Sequence, residues 1–159
     1  MRQKKEKRLK EIYKTQKKLI FPFNKREFFL AGLFLYWGEG SKGRFTELSM
    51  SNTDPSIIEF FINWLTKSLK LPKEKLKVQL HLYKNMDIEK EMKFWLRTLD
   101  IPLNQFTKPY IKKTYSTRIN HKGGFGHGTC RVRIGGGELA EKIHMAIKAL
   151  AGNYNKMGA

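Results

Sequence analysis

The sequence is poor in cysteine, in acidic residues and in long apolar runs, and each shortage excludes a class of protein. Cys130 is the single cysteine, so an internal disulfide framework is excluded and a reducing compartment is favoured. The longest apolar segment is the stretch 28–37, whereas a membrane span needs about 20 residues. The basic N-terminus lacks the apolar stretch and cleavage site of a signal peptide. We therefore expect a cytoplasmic, organellar or nucleoid-associated protein that is not secreted and has no membrane partner.

The shortage of acidic residues leaves a large positive charge. Lys and Arg total 32 against 14 Asp and Glu, which gives a formal net charge of +18. A chain with such an excess attracts polyanions, and nucleic acid is the first candidate. A ribosome-like RNA partner and an acidic lipid surface are the alternatives that the charge alone leaves open.

Charge is unevenly distributed along the chain. Nine basic residues fall within residues 1–20, where a thin apolar stripe accompanies them, and this pattern predicts a basic N-terminal helix or arm over 1–23. The hydrophobic fraction of 40% and the 159-residue length are typical of one globular domain with its own core. We expect a single domain over 24–152 and a C-terminal tail over 153–159.

The apolar spacing predicts an α+β fold. Helical spacing predicts four helices after the arm, over 24–38, 53–71, 87–99 and 139–150. Asn24 and Glu27 have the spacing of a capping box, and Asp54 followed by Pro55 is a helix-start signal. Strands are predicted at 46–52, 77–83, 106–112 and 129–134. Helices and strands intermixed in this order favour an antiparallel or mixed sheet with helices packed on one face.

Three of the predicted strands share one pattern, in which apolar residues alternate with polar or basic ones. Since successive side chains in a strand point to opposite faces, the helices would cover the apolar face. The other face would carry Ser49, Ser51, Lys77, Gln79, His81, Tyr83, Thr129, Arg131 and Arg133. These residue types contact phosphates and read base edges. An ordinary solvated sheet face is the alternative interpretation.

Three segments carry a resemblance to a known family. They are "LAGLFLYWGEGS" (30–41), "LSMSNTDPSIIEFFINWL" (48–65) and "CRVRIGGGELAEKIHMAIKAL" (130–150). Together they resemble the signature helix, the following strand and helix, and the last strand and helix of the LAGLIDADG homing endonucleases in their one-motif form. The resemblance covers roughly residues 24–151. Phe34 stands where the family's close helix contact prefers Gly or Ala, and Glu39 replaces the usual Asp.

The resemblance implies a saddle-shaped sheet over DNA and a homodimer formed through the helix 25–38. The interface would include Ala31, Phe34, Leu35 and Gly38. The metal site would lie at Glu39 and the adjacent Gly38, binding Mg²⁺ or Mn²⁺, and each copy would contribute its Glu39 to the cleavage centre. For the family's basic catalytic residue the best positional candidate is Arg133, followed by Lys84 and Gln79.

The function implied by this resemblance is sequence-specific binding of double-stranded DNA and its metal-dependent cleavage. The expected DNA contacts are Lys42, Arg44, Ser49, Ser51, Lys77, Gln79, His81, Tyr83, Lys112, Lys113, Arg131 and Arg133. A non-cleaving DNA-binding regulator or an RNA maturase using the same surface is the alternative within the family. A basic RNA-binding protein unrelated to the family is the alternative outside it.

Two further patterns in the sequence could indicate ligand sites, but each has a simpler interpretation. His121, His127 and Cys130 suggest zinc, but their spacing matches no standard site and a fourth ligand is missing. The glycines at 135–137 precede a helix, where backbone N–H groups can bind phosphate. Without a following Lys-Ser/Thr pair, a tight strand-to-helix turn is favoured.

Overall fold

A computed structural model of the chain describes residues 2–113 and 126–153. Its elements in chain order are α1 (Arg2–Ile20), α2 (Lys25–Glu39), β1 (Glu47–Asn52), α3 (Pro55–Asn63), β2 (Lys77–Tyr83), α4 (Ile88–Leu99), β3 (Tyr110–Lys112), β4 (Thr129–Gly135) and α5 (Gly137–Asn153). The predicted α+β class is confirmed. Among the described helices, none has the length and apolarity needed to traverse a bilayer.

The helix starts follow the capping signals in the sequence. At the start of α2, the Glu27 N–H donates to Asn24 Oδ1 at 2.9 Å, and the Asn24 N–H donates to Glu27 Oε2 at 2.8 Å. At the start of α3, Asp54 Oδ1 accepts from the Ser56 N–H at 2.8 Å and Pro55 occupies the first turn. These bonds satisfy N–H groups that have no partner within the helix. The predicted helix over 53–71 divides into α3 and a π-helical turn, Trp64–Ser68.

The four strands form one mixed sheet in the order β1-β4-β2-β3. Strand β4 pairs antiparallel with both β1 and β2, and β2 pairs parallel with β3. Strand β3 is shorter than the predicted 106–112, since Phe106 makes only an isolated bridge to Val78 and Pro109 interrupts the ladder. Proline has no N–H to donate to a neighbouring strand.

The core lies between the apolar face of the sheet and a layer of helices. Helices α2, α3 and α5 contact β1, and α3 also contacts β4. The inward strand residues are all but fully buried: Leu48, Met50, Val78, Leu80, Leu82, Cys130, Val132 and Ile134. Burial raises the pKa of the Cys130 thiol, which keeps it protonated and unreactive. Helix α1, by contrast, has no buried residue.

Helix α2 approaches the π-helical turn closely at Gly32. A Cβ added at Gly32 would overlap the indole of Trp64, whose Nε1–H donates to the Phe29 carbonyl of α2 at 3.1 Å. The indole therefore occupies the space that any larger residue at position 32 would need. Gly38 lies on the exposed side of the same helix, and a Cβ added there would have no atom within 4 Å.

Helix α4 contacts His127, which lies two residues before the start of β4. His127 Nδ1 lies 2.6 Å from Oε2 of the buried Glu91, and the His127 ring stacks on Phe94 with centroids 3.6 Å apart. Trp95 Nε1–H donates to the His127 carbonyl at 2.8 Å. Because one face of α4 binds both the ring and the backbone of His127, this helix fixes the position of the residues directly before β4.

Helix α5 begins at a turn made by the glycines at 135–137. The N–H groups of Gly136 and Gly137 both point to the Thr46 carbonyl, at 3.0 and 3.2 Å, so they are engaged by the chain itself. Gly137 has φ +48°, a conformation that favours glycine. The favoured interpretation of these glycines as a strand-to-helix turn is confirmed.

Replacing Gly32 with Ala is expected to destabilise the fold. Overpacking of a rigid core site costs about 1–3 kcal/mol, which exceeds the gain of up to about 1 kcal/mol in helix propensity. Gly152→Ala on α5 is the matched control, because an added Cβ at Gly152 has no atom within 4 Å, and it should leave the free energy of unfolding unchanged or raise it. Urea unfolding followed by circular dichroism measures both, and equal stability of the two variants would contradict the Gly32–Trp64 contact.

Candidate nucleic-acid interface

The face of the sheet turned away from the helices carries rows of polar and basic side chains. One row is Ser49–Arg133–Lys77, the next is Ser51–Arg131–Gln79, and a third joins Thr129 to His81. The short strand β3 extends the third row with Tyr110 and places Lys112 beside Tyr83. The predicted alternation is therefore confirmed over strands β1, β2 and β4.

Two residues expected on the open face are buried, which corrects their assignment as DNA contacts. Ser49 is only 3% exposed, because the segment after α2 runs along the outer edge of β1 and the Ser41 N–H donates to the Ser49 carbonyl at 2.8 Å. Tyr83 is 9% exposed, and the Lys112 ammonium lies 4.7 Å from its ring centroid. A cation over an aromatic face is a favourable contact, so Lys112 covers the ring.

One carboxylate lies among the cations of this face. Glu47 Oε1 is 3.6 Å from Arg131 Nη2, and Glu47 Oε2 is 3.5 Å from Arg133 Nη1. The Glu47 side chain is 15% exposed, against 36% and 42% for the two arginines. Glu47 thus bridges both guanidinium groups from the edge strand. Strand alternation alone places Glu47 on the face of Ser51, so this carboxylate was detectable in the sequence.

His81 lies on the same face in a cationic setting. Burial lowers its pKa, and the charges of Lys112 and Arg131 lower it further. Its ring contacts Tyr110 edge to face, with centroids 5.4 Å apart. His81 is therefore neutral near pH 7, where it can accept or donate a hydrogen bond without adding charge. Tyr110, which is half exposed, enters this surface only through the parallel pairing of β2 and β3.

The remaining candidate contacts surround the sheet face. Gln79 donates from Nε2 to the Lys108 carbonyl at 3.1 Å, which ties β2 to the segment before β3. Lys42 and Arg44 are exposed in the segment between α2 and β1, and Lys113 is exposed directly after β3. Lys84 lies in the turn after β2.

Glu39 lies at the end of α2, beside the edge of the sheet. Its neighbour Gly40 bridges Met50 of β1, and Asn52 Nδ2 donates to Glu39 Oε2 at 3.3 Å. Asn52 is itself oriented, because its Oδ1 accepts from the Asp54 N–H at 2.8 Å. The amide therefore turns its donor side toward the carboxylate. Asn52 was not among the predicted site residues, and only the fold brings it to Glu39.

Glu39 is the last residue of α2 and contacts the sheet through Asn52, which pairs with Cys130 and therefore lies on the face that the helices cover. The predicted catalytic residues Arg133 and Gln79 lie on the opposite face, and Lys84 lies in the turn after β2. Within the described part of one chain, the fold therefore does not bring Arg133 or Gln79 to Glu39.

The donor chemistry at the end of α2 suits a hard cation. Asn52 engages one carboxylate oxygen of Glu39, and carbonyls in the last turn of a helix generally lack intrahelical donors. A carboxylate and a Gly38 carbonyl are oxygen ligands of the kind that Mg²⁺ accepts. Within residues 2–113 and 126–153, no three His, Cys, Asp or Glu residues cluster as a metal site. Among the described residues, the predicted ligands Glu39 and Gly38 therefore form only part of a coordination sphere.

The alternative zinc site is not assembled among the described residues. His127 is paired with Glu91, Cys130 is buried in the core, and His121 lies outside the described residues.

One face of α2 is apolar and open in the single chain. Gly32, Leu33 and Tyr36 face the core, where burial raises the pKa of the Tyr36 hydroxyl. Of the four residues predicted for dimerisation, Phe34 and Gly38 are exposed, whereas Ala31 and Leu35 are partly buried and Leu35 packs against the core. Phe34 is 46% exposed, and its ring lies 6.1 Å from that of Trp37. A shallow apolar groove of about 350 Å³ continues from α2 toward α5, lined in part by Leu33 and Leu150.

Comparison of the chain with protein-family models, with curated proteins and with solved structures finds no match. The LAGLIDADG resemblance therefore depends on the sequence segments that suggested it.

Proposed function

We propose that the chain is a LAGLIDADG-like protein that binds double-stranded DNA as a homodimer and cleaves it with Mg²⁺ or Mn²⁺. The observation that carries the proposal is the cationic outer face of a mixed sheet whose other face is buried under helices. Arg131, Arg133, Lys77 and Lys112 lie on this face, and the chain as a whole carries +18. Such a surface provides both phosphate contacts and base-edge donors.

The open face of α2 supports the homodimer. A second copy seated on Phe34 and Leu35 would remove apolar surface from water, and Gly38 leaves room for a close helix approach. Because Glu39 follows Gly38 directly, the pairing would bring two carboxylates together at the edge of both sheets. Two carboxylates at close range repel each other, and a divalent cation offsets that repulsion.

In the proposed cleavage each chain positions groups around the scissile phosphate. A bound metal would supply charge stabilisation and an activated water. Glu39 would hold it through its carboxylate, and Asn52, which donates to Oε2 at 3.3 Å, restricts the rotation of that carboxylate. Of the catalytic candidates that the resemblance suggests, Lys84 lies off the sheet face, in the turn after β2, and it would stabilise developing negative charge on the phosphate.

A non-cleaving regulator or RNA maturase is the second candidate. It is favoured by the isolation of Glu39, which has no acidic cluster around it in the part of the chain that the structure describes. Such a protein would use the same sheet face and the same dimer. Binding to duplex without nicking in Mg²⁺ or Mn²⁺ would favour this candidate over the endonuclease.

DNA binding should weaken steeply with salt, and the sheet face should account for part of that slope. Each phosphate contact contributes about −0.9 to the slope of log K against log salt, so Lys77→Gln should reduce its magnitude by about 0.9. Lys148→Gln, on the exposed side of α5, is the control with the same charge change. Fluorescence anisotropy with a random-sequence duplex measures the slopes. Equal slopes for the two variants would argue against binding through this face.

Removing the charge of Glu39 should abolish cleavage while leaving binding intact. Losing several kcal/mol of metal-mediated stabilisation corresponds to a rate decrease of about 100-fold or more. Glu39→Gln should therefore bind a selected target duplex like the wild type but fail to nick it in Mg²⁺ or Mn²⁺. Glu59→Gln on α3 should cleave normally, and full activity of Glu39→Gln would exclude the metal role.

Replacing Phe34 with Gln should convert the dimer to a monomer. The substitution places a polar amide in the proposed seam, but it costs the monomer little because Phe34 is 46% exposed. Met145→Gln on α5 is the matched control, since Met145 is also 46% exposed. Sedimentation velocity over a concentration series gives the mass of each variant. A wild-type chain that stays monomeric, with or without DNA, would reject the homodimer.

A further inference from the structure

The carboxylate of Glu47 is unexpected on a surface that would bind phosphates. It is the only acidic side chain on the outer face of the described strands, and DNA would bring further negative charge next to it. Like charges at short range are unfavourable. A carboxylate retained here must therefore offset its cost through its contacts with Arg131 and Arg133.

The sheet register explains what those contacts do within the protein. Arg133 lies directly opposite Lys77, and Arg131 follows two residues away on the same face. Directly opposed like charges destabilise a strand pair, and the position of Glu47 on β1 lets one carboxylate reach both guanidinium groups. Each guanidinium is thus drawn toward β1.

The distances show that these contacts are ion pairs without a close hydrogen bond. At 3.5 and 3.6 Å, they are longer than the 2.7–2.9 Å typical of charge-assisted hydrogen bonds. Glu47 therefore partly neutralises both guanidinium groups and keeps them near β1, but it does not fix the plane of either one. A partly neutralised guanidinium is a poorer phosphate ligand, whereas its planar fork stays suited to bidentate recognition of paired acceptors.

We infer that Glu47 is a specificity-determining positioning residue, which makes Arg131 and Arg133 readers of base edges rather than phosphate contacts. The acceptor pair that matches a guanidinium fork in the major groove is O6 and N7 of guanine. The target of this face should accordingly contain a guanine opposite each of the two arginines. The inference rests on the proposed DNA binding and names the bases that the surface selects.

Glu47→Gln tests the inference because it frees both arginines without changing side-chain size. The released guanidinium groups should contact phosphates, so the salt slope with random-sequence duplex should steepen by about 1.8, or 0.9 for each new contact. Selection from a randomised duplex library should show a guanine preference for the wild type at two positions. That preference should fall by roughly tenfold or more at each position in the variant.

Two controls separate positioning from charge and from folding. Glu89→Gln removes the same charge from α4, where Glu89 pairs only locally with Lys93 at 2.6 Å, and it should leave the guanine preference unchanged. Arg131→Lys keeps the positive charge but lacks the planar fork. It should bind random-sequence duplex as the wild type does and lose the guanine preference at one position.

The outcomes distinguish this inference from the function on which it rests. Absence of duplex binding by the wild type would overturn the proposed function, and with it the base-reading role. Duplex binding with the same salt slope and base preference in Glu47→Gln and the wild type would overturn the inference alone. Equal changes in Glu47→Gln and Glu89→Gln would also overturn it, because net charge would then suffice.

Discussion

Strand β4 is held between β1 and β2, and the arrangement of the candidate interface depends on this pairing. Its inward residues, Cys130, Val132 and Ile134, are buried against the helices, so Arg131 and Arg133 must face outward. A register slip of one residue would bury two guanidinium groups and expose the apolar residues. The burial of the core therefore also determines where the basic residues lie.

The same pairing concentrates positive charge on one face of the sheet, and repulsion between these charges destabilises the sheet. Lys77 and Arg133 oppose each other, and His81 lies near both Lys112 and Arg131. The fold offsets this repulsion with Glu47, with a neutral His81 and with the Lys112–Tyr83 contact. Each of these three interactions allows cations to lie close together on one surface, and such a surface attracts polyanionic ligands.

Helix α2 serves two surfaces at once. Its inner face is fitted closely to the π-helical turn through Gly32 and Trp64, which sets the position of its C-terminal end. That end places Glu39 within reach of Asn52, and its outer face leaves Phe34 open. A tightly packed inner face thus orients both the carboxylate and the proposed dimer surface.

Most local structure was predictable because it depends on neighbouring residues. The caps at Asn24 and Asp54 and the alternation in β1, β2 and β4 follow from short-range hydrogen bonding and periodicity. The burial of Ser49 and Tyr83 was predicted wrongly. Their exposure depends on the Gly40–Ser41 segment and on Lys112, which come from other parts of the chain.

The sequence by itself determined the fold class, the apolar and basic faces of the strands, the helix starts and the charge. Only the tertiary structure decided which residues of α2 face the core, that Asn52 meets Glu39, and that Glu47 bridges Arg131 and Arg133. The physical reason is that periodicity assigns a side chain to a face of its own element. Its partners there depend on strand order, register and helix packing, which join residues far apart in the chain.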